Sequence, residues 1–399
     1  MSLLDDVKIL TTANASKAGT LYSVKPDSGL ADLDITRATT ATVTNSTGLI
    51  ETIAVNVPQL DFTGGGCPSF KLEPQKTNLV KMSDQLDNAL YWTPASGLAV
   101  TGNTTVSPDG STNADTIVGD PDGSINQMYF ISGVASQFTF SFYAKRGTMT
   151  DMKYKIYDMT NAVDIVAPTS YYAETSSATW NRITVTFTNS ASTNHVRLYP
   201  FIDNTGSTGA GETCFIWGVQ LEAASVSYAI SYVTSYIPTT TAAVTRNRTS
   251  FDKTGLSSLI GQTEGVFFLE METKNDQSDF GFISMGASST NQVGFGYTNN
   301  GFWLQVLLGG AGINVFYNTL GTPSGYFKIA GKYKSGDFAV WINGSEAVTS
   351  SVAGTASGTW EKISSGYGTG TIYPPFVNIK QIQVYDTILT DAQLLALTT

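Results

Sequence analysis

Alternation of apolar and polar residues with a period of two runs through most of the sequence and constrains its fold more than any other feature. In the segment 138–145 (FTFSFYAK), Phe138, Phe140 and Phe142 fall on one face, and the segment 182–188 (RITVTFT) alternates in the same way. Successive side chains of a β-strand point to opposite faces of a sheet, so this pattern indicates half-buried antiparallel strands. The sequence therefore predicts an all-β protein.

Turn signals support this interpretation. Two Asn-Gly steps, Asn300-Gly301 and Asn343-Gly344, stand between apolar alternating runs. Both central positions of a type I′ turn need a positive φ, which Asn and Gly adopt at low cost. Each step therefore predicts a tight hairpin.

Helical signal is confined to the two ends of the sequence. Near the C-terminus, Thr390 is followed three residues later by Gln393 and then by a leucine-rich stretch, which is a capping-box pattern. Residues 1–10 carry a weaker pattern of apolar residues at helical spacing. We expect one short helix at each end.

Length and composition limit the classes of protein that this chain can belong to. With 399 residues, the chain is longer than a single hydrophobic core normally grows, so two or three domains are expected. Charged residues make up only 14% and aromatic residues 11%, and the formal net charge is −10. A phosphate backbone needs clustered Lys and Arg, and no such cluster is present in the sequence, so we expect no nucleic-acid partner.

Membrane and export signals are also missing from the sequence pattern. The longest apolar runs, such as FWLQVLL at 302–308, are much shorter than a membrane-spanning segment. The first ten residues lack the basic start and apolar stretch of a signal peptide. We therefore expect that the protein does not insert into a membrane. We also expect that it assembles in a cytoplasm.

Gly- and Ser-rich segments at 61–69 and 246–258 mark the expected domain boundaries. They divide the chain into an N-terminal module (1–66), a central β domain (67–248) and a C-terminal β domain (249–399). Only the second and third are long enough to fold alone. The N-terminal module would need a partner surface, so we expect it to anchor the protein.

Four segments carry a family resemblance. They are ITRATTATVTNSTGLIETIAVNVPQLDF at 35–62, KLEPQKTNL at 71–79, and the pair WGVQLEA at 217–223 and SYIPTTTAAVTR at 235–246. Together they resemble the modular fibre and appendage proteins of tailed bacteriophages, in which a carbohydrate-binding-module-like jelly roll lies between such a leader and such a return segment. This resemblance implies a virion surface protein and a jelly-roll fold for residues 67–248.

A second resemblance covers most of 260–399. The segments YFKIAGKYKSGDFAVWINGSEAV at 326–348 and IKQIQVYDTILTDAQLLALT at 379–398 are similar, in order and spacing, to the hairpin and closing strand-helix of laminin-G and concanavalin-A-like sandwiches. The two resemblances together imply two tandem β-sandwich (jelly-roll) domains preceded by a small N-terminal anchoring module.

Catalytic signatures are not found in the sequence. Glu270 and Glu272 are the candidate carboxylate pair at strand spacing, but they lack the third acid that the glycoside hydrolases of this fold place in E-x-D-x-E. His195 is the sole histidine, and no G-x-S-x-G elbow accompanies it. We expect two solvated glutamates, a cross-strand histidine and no enzyme activity.

Metal and thiol chemistry have few candidates. We expect no cofactor, and a bound structural Ca²⁺, which modules of this family often hold, is the alternative. Its candidate ligands lie in the acidic stretch 107–124: Asp109, Asp115, Asp120 and Asp122.

Two cysteines, Cys67 and Cys214, are too few for a disulfide framework. We expect two buried thiols, with a disulfide between them as the alternative.

Sugar binding by such domains depends on aromatic rings that stack on the C–H faces of pyranoses, with amides fixing the hydroxyls. Aromatic and amide residues in loops and near the Asn300 hairpin are the candidates: Tyr171, Tyr172, Tyr297, Asn299 and Trp303. For each aromatic residue, packing in the core or an oligomer interface is the competing interpretation.

The resemblance implies a virion structural protein, a head or tail fibre or appendage that displays its sandwiches for adhesion to host-surface glycans. A dedicated receptor-binding tail protein is the first alternative, and a polysaccharide depolymerase is the second. The expected partners are other virion proteins, contacted through residues 1–66, and two further copies of the chain in a homotrimer.

Overall fold

The computed structural model describes the chain from residue 3 to residue 399, except for 96, 132–135, 204–208, 225–231, 275–280, 299–300, 309–310, 316–324, 355–357 and 367–374. For 297–298, 301–304, 308 and 311–315 it describes the backbone alone. The described residues form antiparallel sheets with very little helix, so the predicted all-β class is confirmed.

The chain forms two compact units. The composite unit contains residues 1–48, 52–75 and 247–399, and the inserted unit contains 49–51 and 76–246. The inserted unit is continuous apart from its short segment 49–51, and its bounds lie close to the predicted central domain. The composite unit is discontinuous, which the sequence did not predict.

The elements that precede Lys76 are α1 (Leu3–Asp6), β1 (Ile9–Lys17), β2 (Thr20–Lys25), β3 (Leu33–Thr36), β4 (Ala41–Thr44), β5 (Ile50–Ile53), β6 (Leu60–Asp61) and β7 (Ser69–Leu72). Those from Lys76 to Arg246 are β8 (Lys76–Asn78), β9 (Thr93–Ala95), β10 (Ala99–Thr105), β11 (Ala114–Val118), β12 (Ser124–Phe130), β13 (Gln137–Arg146), β14 (Lys153–Asp158), β15 (Val163–Ser170), the 3₁₀ turn Tyr172–Glu174, β16 (Asn181–Thr188), β17 (His195–Ile202), β18 (Thr213–Ala223) and β19 (Val244–Arg246).

The remaining elements are β20 (Ser250–Lys253), β21 (Glu264–Thr273), β22 (Gly281–Ser288), β23 (Asn291–Thr298), β24 (Gly301–Leu308), β25 (Ala311–Val315), β26 (Phe327–Lys334), β27 (Phe338–Ile342), β28 (Ser345–Ser350), β29 (Lys362–Ser364), β30 (Val377–Tyr385) and α2 (Asp391–Thr398).

One long sheet builds the composite unit. Its strand order is β25-β24-β23-β22-β29-β20-β3-β2-β1-β30-β21-β26-β27-β28, and β7 adds to β30. The sheet folds over itself, since Phe267 of β21 stacks on Phe295 of β23 with ring centroids 5.5 Å apart. Their shared core also includes Ile9, Leu33 and Phe251, which are almost fully buried.

The C-terminal helix covers the other face of the same sheet. Leu394 and Leu397 of α2 join Val266, Phe268 and Trp341 in a second apolar cluster. The helix begins with the predicted capping box, because the Thr390 side chain accepts from the Gln393 backbone N–H and the Gln393 side chain accepts in turn from the Thr390 backbone N–H. Strand β21 is therefore buried on both faces, which explains its run of consecutive apolar residues.

The hairpin at Asn343 is confirmed. Asn343 and Gly344 both adopt positive φ, 47° and 77°, and Ile342 pairs with Ser345. The other predicted hairpin joins β23 to β24, which meet at Thr298 and Gly301. Gly301 therefore belongs to the strand, and Asn300 lies outside the described residues.

The prediction of an independent N-terminal anchoring module (1–66) is wrong. Strand β1 pairs with β30 over Ile9–Val384 to Thr12–Gln381, and β3 pairs with β20. Apolar residues of β1 to β3 belong to the main core of the composite unit. The segment that seemed too short to hold a core gains one by adding its strands to a sheet whose other strands come mostly from the C-terminal part of the sequence.

Two five-stranded sheets form the inserted unit. Their orders are β10-β11-β18-β13-β16 and β15-β14-β17-β12-β9. Phe138, Phe140 and Phe142 of β13 are buried in the core between them, as the alternation predicted. This two-sheet arrangement is a β-sandwich.

The leader and return segments that carry the family resemblance lie side by side. Strand β8 pairs with β19, with Lys76 opposite Arg246 and Asn78 opposite Val244. On the composite-unit side, the Thr249 N–H donates to the Glu73 carbonyl over 2.9 Å. For the long segment 76–246, the chain therefore leaves and re-enters the composite unit at one place.

The cysteines follow the prediction in part. Both are free thiols; Cys214 is fully buried, as expected, and Cys67 is exposed. Burial raises the pKa of the Cys214 thiol far above its ordinary value, so this thiol is inert.

Within the described part of the chain, no helix reaches the length and apolarity that a bilayer crossing requires.

Candidate functional site

The sheet β15-β14-β17-β12-β9 of the inserted unit has one face in the core and one face directed away from it. Ile156 of β14 and Val196 and Leu198 of β17 are completely buried. Because side chains alternate along a strand, the residues between them lie on the opposite face. That face is the candidate functional site.

Seven residues from three adjacent strands define this surface, here called the Arg197 face: Met128, Phe130, Lys155, Tyr157, His195, Arg197 and Tyr199. Arg197 lies at its centre, opposite Tyr157 of β14 on one side and opposite Met128 of β12 on the other. Cross-strand neighbours on one face have Cβ atoms about 5 Å apart. Arg197 therefore has a tyrosine and a methionine as its cross-strand neighbours on this face.

Two further rows flank Arg197 along strand β17. Tyr199 lies opposite Lys155 and is the most covered member of the face, whereas His195 lies opposite Phe130 and is half-exposed. The rings of Phe130 and His195 meet edge to face with centroids 5.2 Å apart. The Lys155 ammonium lies 4.8 Å from the centroid of the Tyr157 ring. The site is thus a flat array of aromatic rings and cations.

The face is open at its β12 side. Met128 and Phe130 are 56% and 62% exposed, although both are apolar. Isolated exposed apolar residues are common, but here two of them adjoin Tyr157, Arg197 and His195. Such a cluster on a sheet surface is typical of a binding site.

The hairpin between β14 and β15 is fixed by Asp158. Its Oδ1 accepts from the backbone N–H groups of Thr160 and Asn161, and its Oδ2 accepts from the Thr193 hydroxyl over 2.6 Å. Burial acts to raise the pKa of Asp158, but the hydrogen bonds outweigh it and hold that pKa below its ordinary value. The carboxylate therefore locks the turn that follows Tyr157 onto the loop that precedes His195.

The groups on this face are of the kinds that bind a ligand. Aromatic rings offer stacking surfaces, and cations offer hydrogen-bond donors. The nearest carboxylate, Asp164, lies opposite Tyr157 and forms an ion pair of 2.7 Å with Lys155.

Tyr171, a predicted ligand contact, is a core residue, and that prediction is wrong. Its ring is completely buried against Phe142 and Tyr154, and its hydroxyl donates to the Pro200 carbonyl over 3.0 Å. Tyr172 begins the short 3₁₀ turn and is partly exposed, with the Arg146 guanidinium 4.6 Å from its ring centroid. It remains separate from the Arg197 face.

The other predicted contacts lie in the composite unit. Tyr297 of β23 pairs with Phe302, and Trp303 of β24 pairs with Gly296, so both belong to one hairpin. The side chains of Tyr297 and Trp303, and the whole of Asn299, lie outside the described residues. Their proposed role stays a prediction.

The acidic candidates for a metal site are dispersed or used in turns. Asp109 accepts from Ser107, Ser111 and Asn113 within its own loop. Asp120 and Asp122 belong to the next turn, and Asp122 is exposed with φ 63°. In the part of the chain that the structure describes, no three Asp, Glu, His or Cys side chains converge as a metal site would require.

Asp115 is the most perturbed acid of this region. Burial, with the nearby Asp87 carboxylate, raises the pKa of Asp115 to about 6, against the effect of its backbone hydrogen bonds. Both of its oxygens accept backbone N–H groups, from Leu86, Asp87 and Asn103. Its role is to tie two loops together.

The glutamates considered as catalytic acids are engaged separately. Glu270 accepts from Gln381 over 2.6 Å, and Glu272 forms an ion pair of 2.6 Å with Lys274. Each is partly buried beside a cation. His195 lies in a central strand, half-exposed, and its ring contacts Phe130.

Sequence reasoning missed all seven residues of the Arg197 face as site residues, and it named His195 only as a cross-strand histidine. A signal was present, since KYKIYD at 153–158 and HVRLYP at 195–200 both alternate polar or aromatic residues with apolar ones. That alternation shows which residues share a face within each strand. It does not show that β14 and β17 are neighbours, because β15 and β16 come between them in the sequence.

The inserted unit is thus an antiparallel β-sandwich with an aromatic and cationic sheet face. No protein-family model and no curated protein sequence matches the chain. Among solved structures, it is similar to the CBM40 of the Ruminococcus gnavus IT-sialidase bound to α2,3-sialyllactose, with 18% identity, 36% of this chain and 85% of that chain covered, and a TM-score of 0.31.

Two other solved structures are similar at the same level. Domain 4 of AbnA, a GH43 extracellular arabinanase from Geobacillus stearothermophilus in complex with arabinotriose, has 14% identity, with 42% of this chain and 83% of that chain covered and a TM-score of 0.32. The enzymatically active domain of bacteriophage CBA120 tailspike protein 4 has 15% identity, with 37% and 21% covered and a TM-score of 0.29. At these scores the similarity assigns no function to this chain.

Proposed function

We propose that the protein is a bacteriophage virion structural protein, a head or tail appendage that adheres to host-surface glycans through the Arg197 face. The observation that carries the adhesive role is the array of Tyr157, Arg197 and Phe130 on one open sheet face of a rigid sandwich. Rings and donors fixed on strands meet a sugar without first being ordered, so little conformational entropy is lost on binding.

The virion assignment is supported by the sequence motifs of the leader and return segments. These segments form the paired strands β8 and β19 at the point where the inserted unit begins and ends. The same segments carry the resemblance to phage fibre and appendage proteins. Immunogold electron microscopy of intact particles tests this proposal, and labelling of free cytosolic protein alone would contradict it.

A binding role without catalysis is part of the proposal. Glu270 and Glu272 each have a cation and an amide as partners, which is the arrangement of structural carboxylates. We expect no reducing ends to be released from host polysaccharide by the purified protein. Release that is abolished in Glu270→Gln would instead establish the depolymerase alternative.

The proposed virion assignment also implies which proteins this chain contacts. Attachment to other virion proteins is proposed for the composite unit, because residues 1–66 are largely part of it and do not form a separate anchor. A homotrimer is proposed as the assembled state, and light scattering of the purified chain tests it.

Glycan adhesion is tested by removing one ring from the Arg197 face. Tyr157→Ala deletes the ring beside Arg197, and we expect binding on a glycan array to weaken by about ten-fold or more, because burying an aromatic contact contributes about 1–3 kcal/mol. Tyr22→Ala is the matched control, since Tyr22 is 39% exposed on β2 of the composite unit. Equal binding by both variants would refute the assignment of the site.

A further inference from the structure

The cations on and beside the Arg197 face differ in whether a carboxylate pairs with them. Lys153 forms an ion pair of 2.7 Å with Asp151, and Lys155 forms one of 2.7 Å with Asp164. Arg197 has neither an ion pair nor a side-chain hydrogen bond with any described residue. The central cation of the face is therefore the one whose donors are free.

Four residues of the face surround Arg197 in the sheet. Tyr157 and Met128 flank it on the neighbouring strands, and His195 and Tyr199 flank it along β17. Guanidinium is planar and presents paired N–H donors that match the two oxygens of a carboxylate. The surrounding rings offer a surface for the C–H face of a sugar ring. An acid group attached to a sugar ring fits both features at once.

Charge balance distinguishes an acidic sugar from a neutral one. The chain carries a formal net charge of −10, so an anionic glycan is repelled by the protein as a whole. On this face, however, the positive charge of Lys155 is paired with Asp164, whereas Arg197 has no carboxylate partner among the described residues. A neutral sugar would not require such a charge at the centre of the site.

We propose that the Arg197 face binds a carboxylate-bearing sugar of an acidic glycan, with Arg197 holding the carboxylate through two N–H donors and Tyr157 and Phe130 contacting the sugar ring. This inference rests on the proposed glycan adhesion and narrows its ligand to one chemical class.

The test uses the full-length chain and four acidic polysaccharides: polygalacturonate, alginate, hyaluronan and polysialic acid. Each is compared with its carboxyl-reduced form, which keeps the backbone and removes the charge. We expect binding of at least one acidic polymer, a loss of about ten-fold or more on carboxyl reduction, and a similar loss in Arg197→Ala. Arg197→Lys keeps the charge but not the paired donors, and we expect it to recover only part of the affinity.

Lys17→Ala is the control for net charge, because Lys17 is an exposed lysine of the composite unit and its removal changes the net charge by the same amount. If Lys17→Ala and Arg197→Ala weakened binding of the acidic polymer equally, the attraction would be non-specific and the inference would be overturned. The Arg197 side chain has no ion-pair or hydrogen-bond partner within the described protein. Its variants should therefore unfold at the wild-type melting temperature. A lowered melting temperature would also count against the inference.

The outcomes separate this inference from the proposed function. If acidic and carboxyl-reduced polymers bind equally, and Tyr157→Ala weakens both while Arg197→Ala does not, the ligand class is wrong and glycan adhesion stands. If no polymer of either form binds, both proposals fail.

Discussion

Asn78 shows at the scale of one residue why the leader segment has the sequence it has. Its side chain is completely buried and uses both of its polar atoms. The amide nitrogen donates to the carbonyls of Val219 and Ile237, and the amide oxygen accepts from the N–H groups of Val80 and Leu221. One side chain thus joins the leader, strand β18 and the return segment.

We expect Asn78→Ala to lower the free energy of unfolding by about 2–4 kcal/mol, because it leaves buried backbone groups without partners. Urea unfolding measures this change. Asn194→Ala is the control, since Asn194 is exposed and its side chain forms no hydrogen bond within the described chain. A cost for Asn78→Ala no greater than that of the control would contradict the role assigned to Asn78.

Tyrosines illustrate the limit of residue-level prediction. The sequence places Tyr171 between strand patterns, where exposure is the natural expectation, yet the structure buries it in the core. Tyr157 lies within a strand and was not singled out, yet it faces outward on the candidate site. The pattern of one segment does not reveal which side of the sandwich another segment covers.

At the scale of elements, the β14–β15 hairpin depends on the ionised form of Asp158. We expect Asp158→Asn to cost about 1–2 kcal/mol at pH 7, because the amide nitrogen cannot accept the bonds that one carboxylate oxygen accepts. The folded protein holds the pKa of Asp158 below the ordinary value of 3.8. The stabilisation is therefore present above pH 3.8 and is lost as the pH falls through the folded-state pKa.

The measurement is urea unfolding of wild type and Asp158→Asn between pH 7 and pH 2.5. The difference between the two proteins should shrink at the acidic end. Asp122→Asn serves as a control on an exposed turn. A difference that stays constant across this range would show that the hydrogen bonds do not depend on the charge of Asp158.

Elements were predicted best where the signal is local. Alternation located β13 and β16, the Asn-Gly step located the β27–β28 hairpin, and the capping box located α2. Strand neighbours were not predictable in the same way, because pairs such as β1 with β30 join segments from opposite ends of the sequence. The candidate site depends on pairing between strands that are not consecutive, and so none of its residues was predicted as a site residue.

At the scale of the whole molecule, the inserted unit interrupts the composite unit between β7 and β20. We expect removal of residues 76–246, with a short Gly-Ser linker in their place, to leave a folded composite unit, because Glu73 and Thr249 are already hydrogen-bonded neighbours. Circular dichroism and thermal unfolding of the shortened chain provide the measurement. A shortened chain that is unfolded would show that the composite unit needs the insertion.

Deletion of residues 1–60 is the matched comparison, and it should have the opposite result. It removes β1 to β3, which separate β20 from β30 in the sheet, and exposes apolar core residues such as Phe251. We expect insoluble protein. A soluble, folded product would restore the N-terminal segment as a separate anchor.

The hydrogen bond between Thr249 and Glu73 also bears on how the chain transmits mechanical tension. Glu73 and Thr249 are bonded where the polypeptide departs and returns, so a pull on the two termini runs through the composite unit and bypasses the sandwich beyond. A sandwich inserted in this manner is spared the tension that the rest of the polypeptide carries.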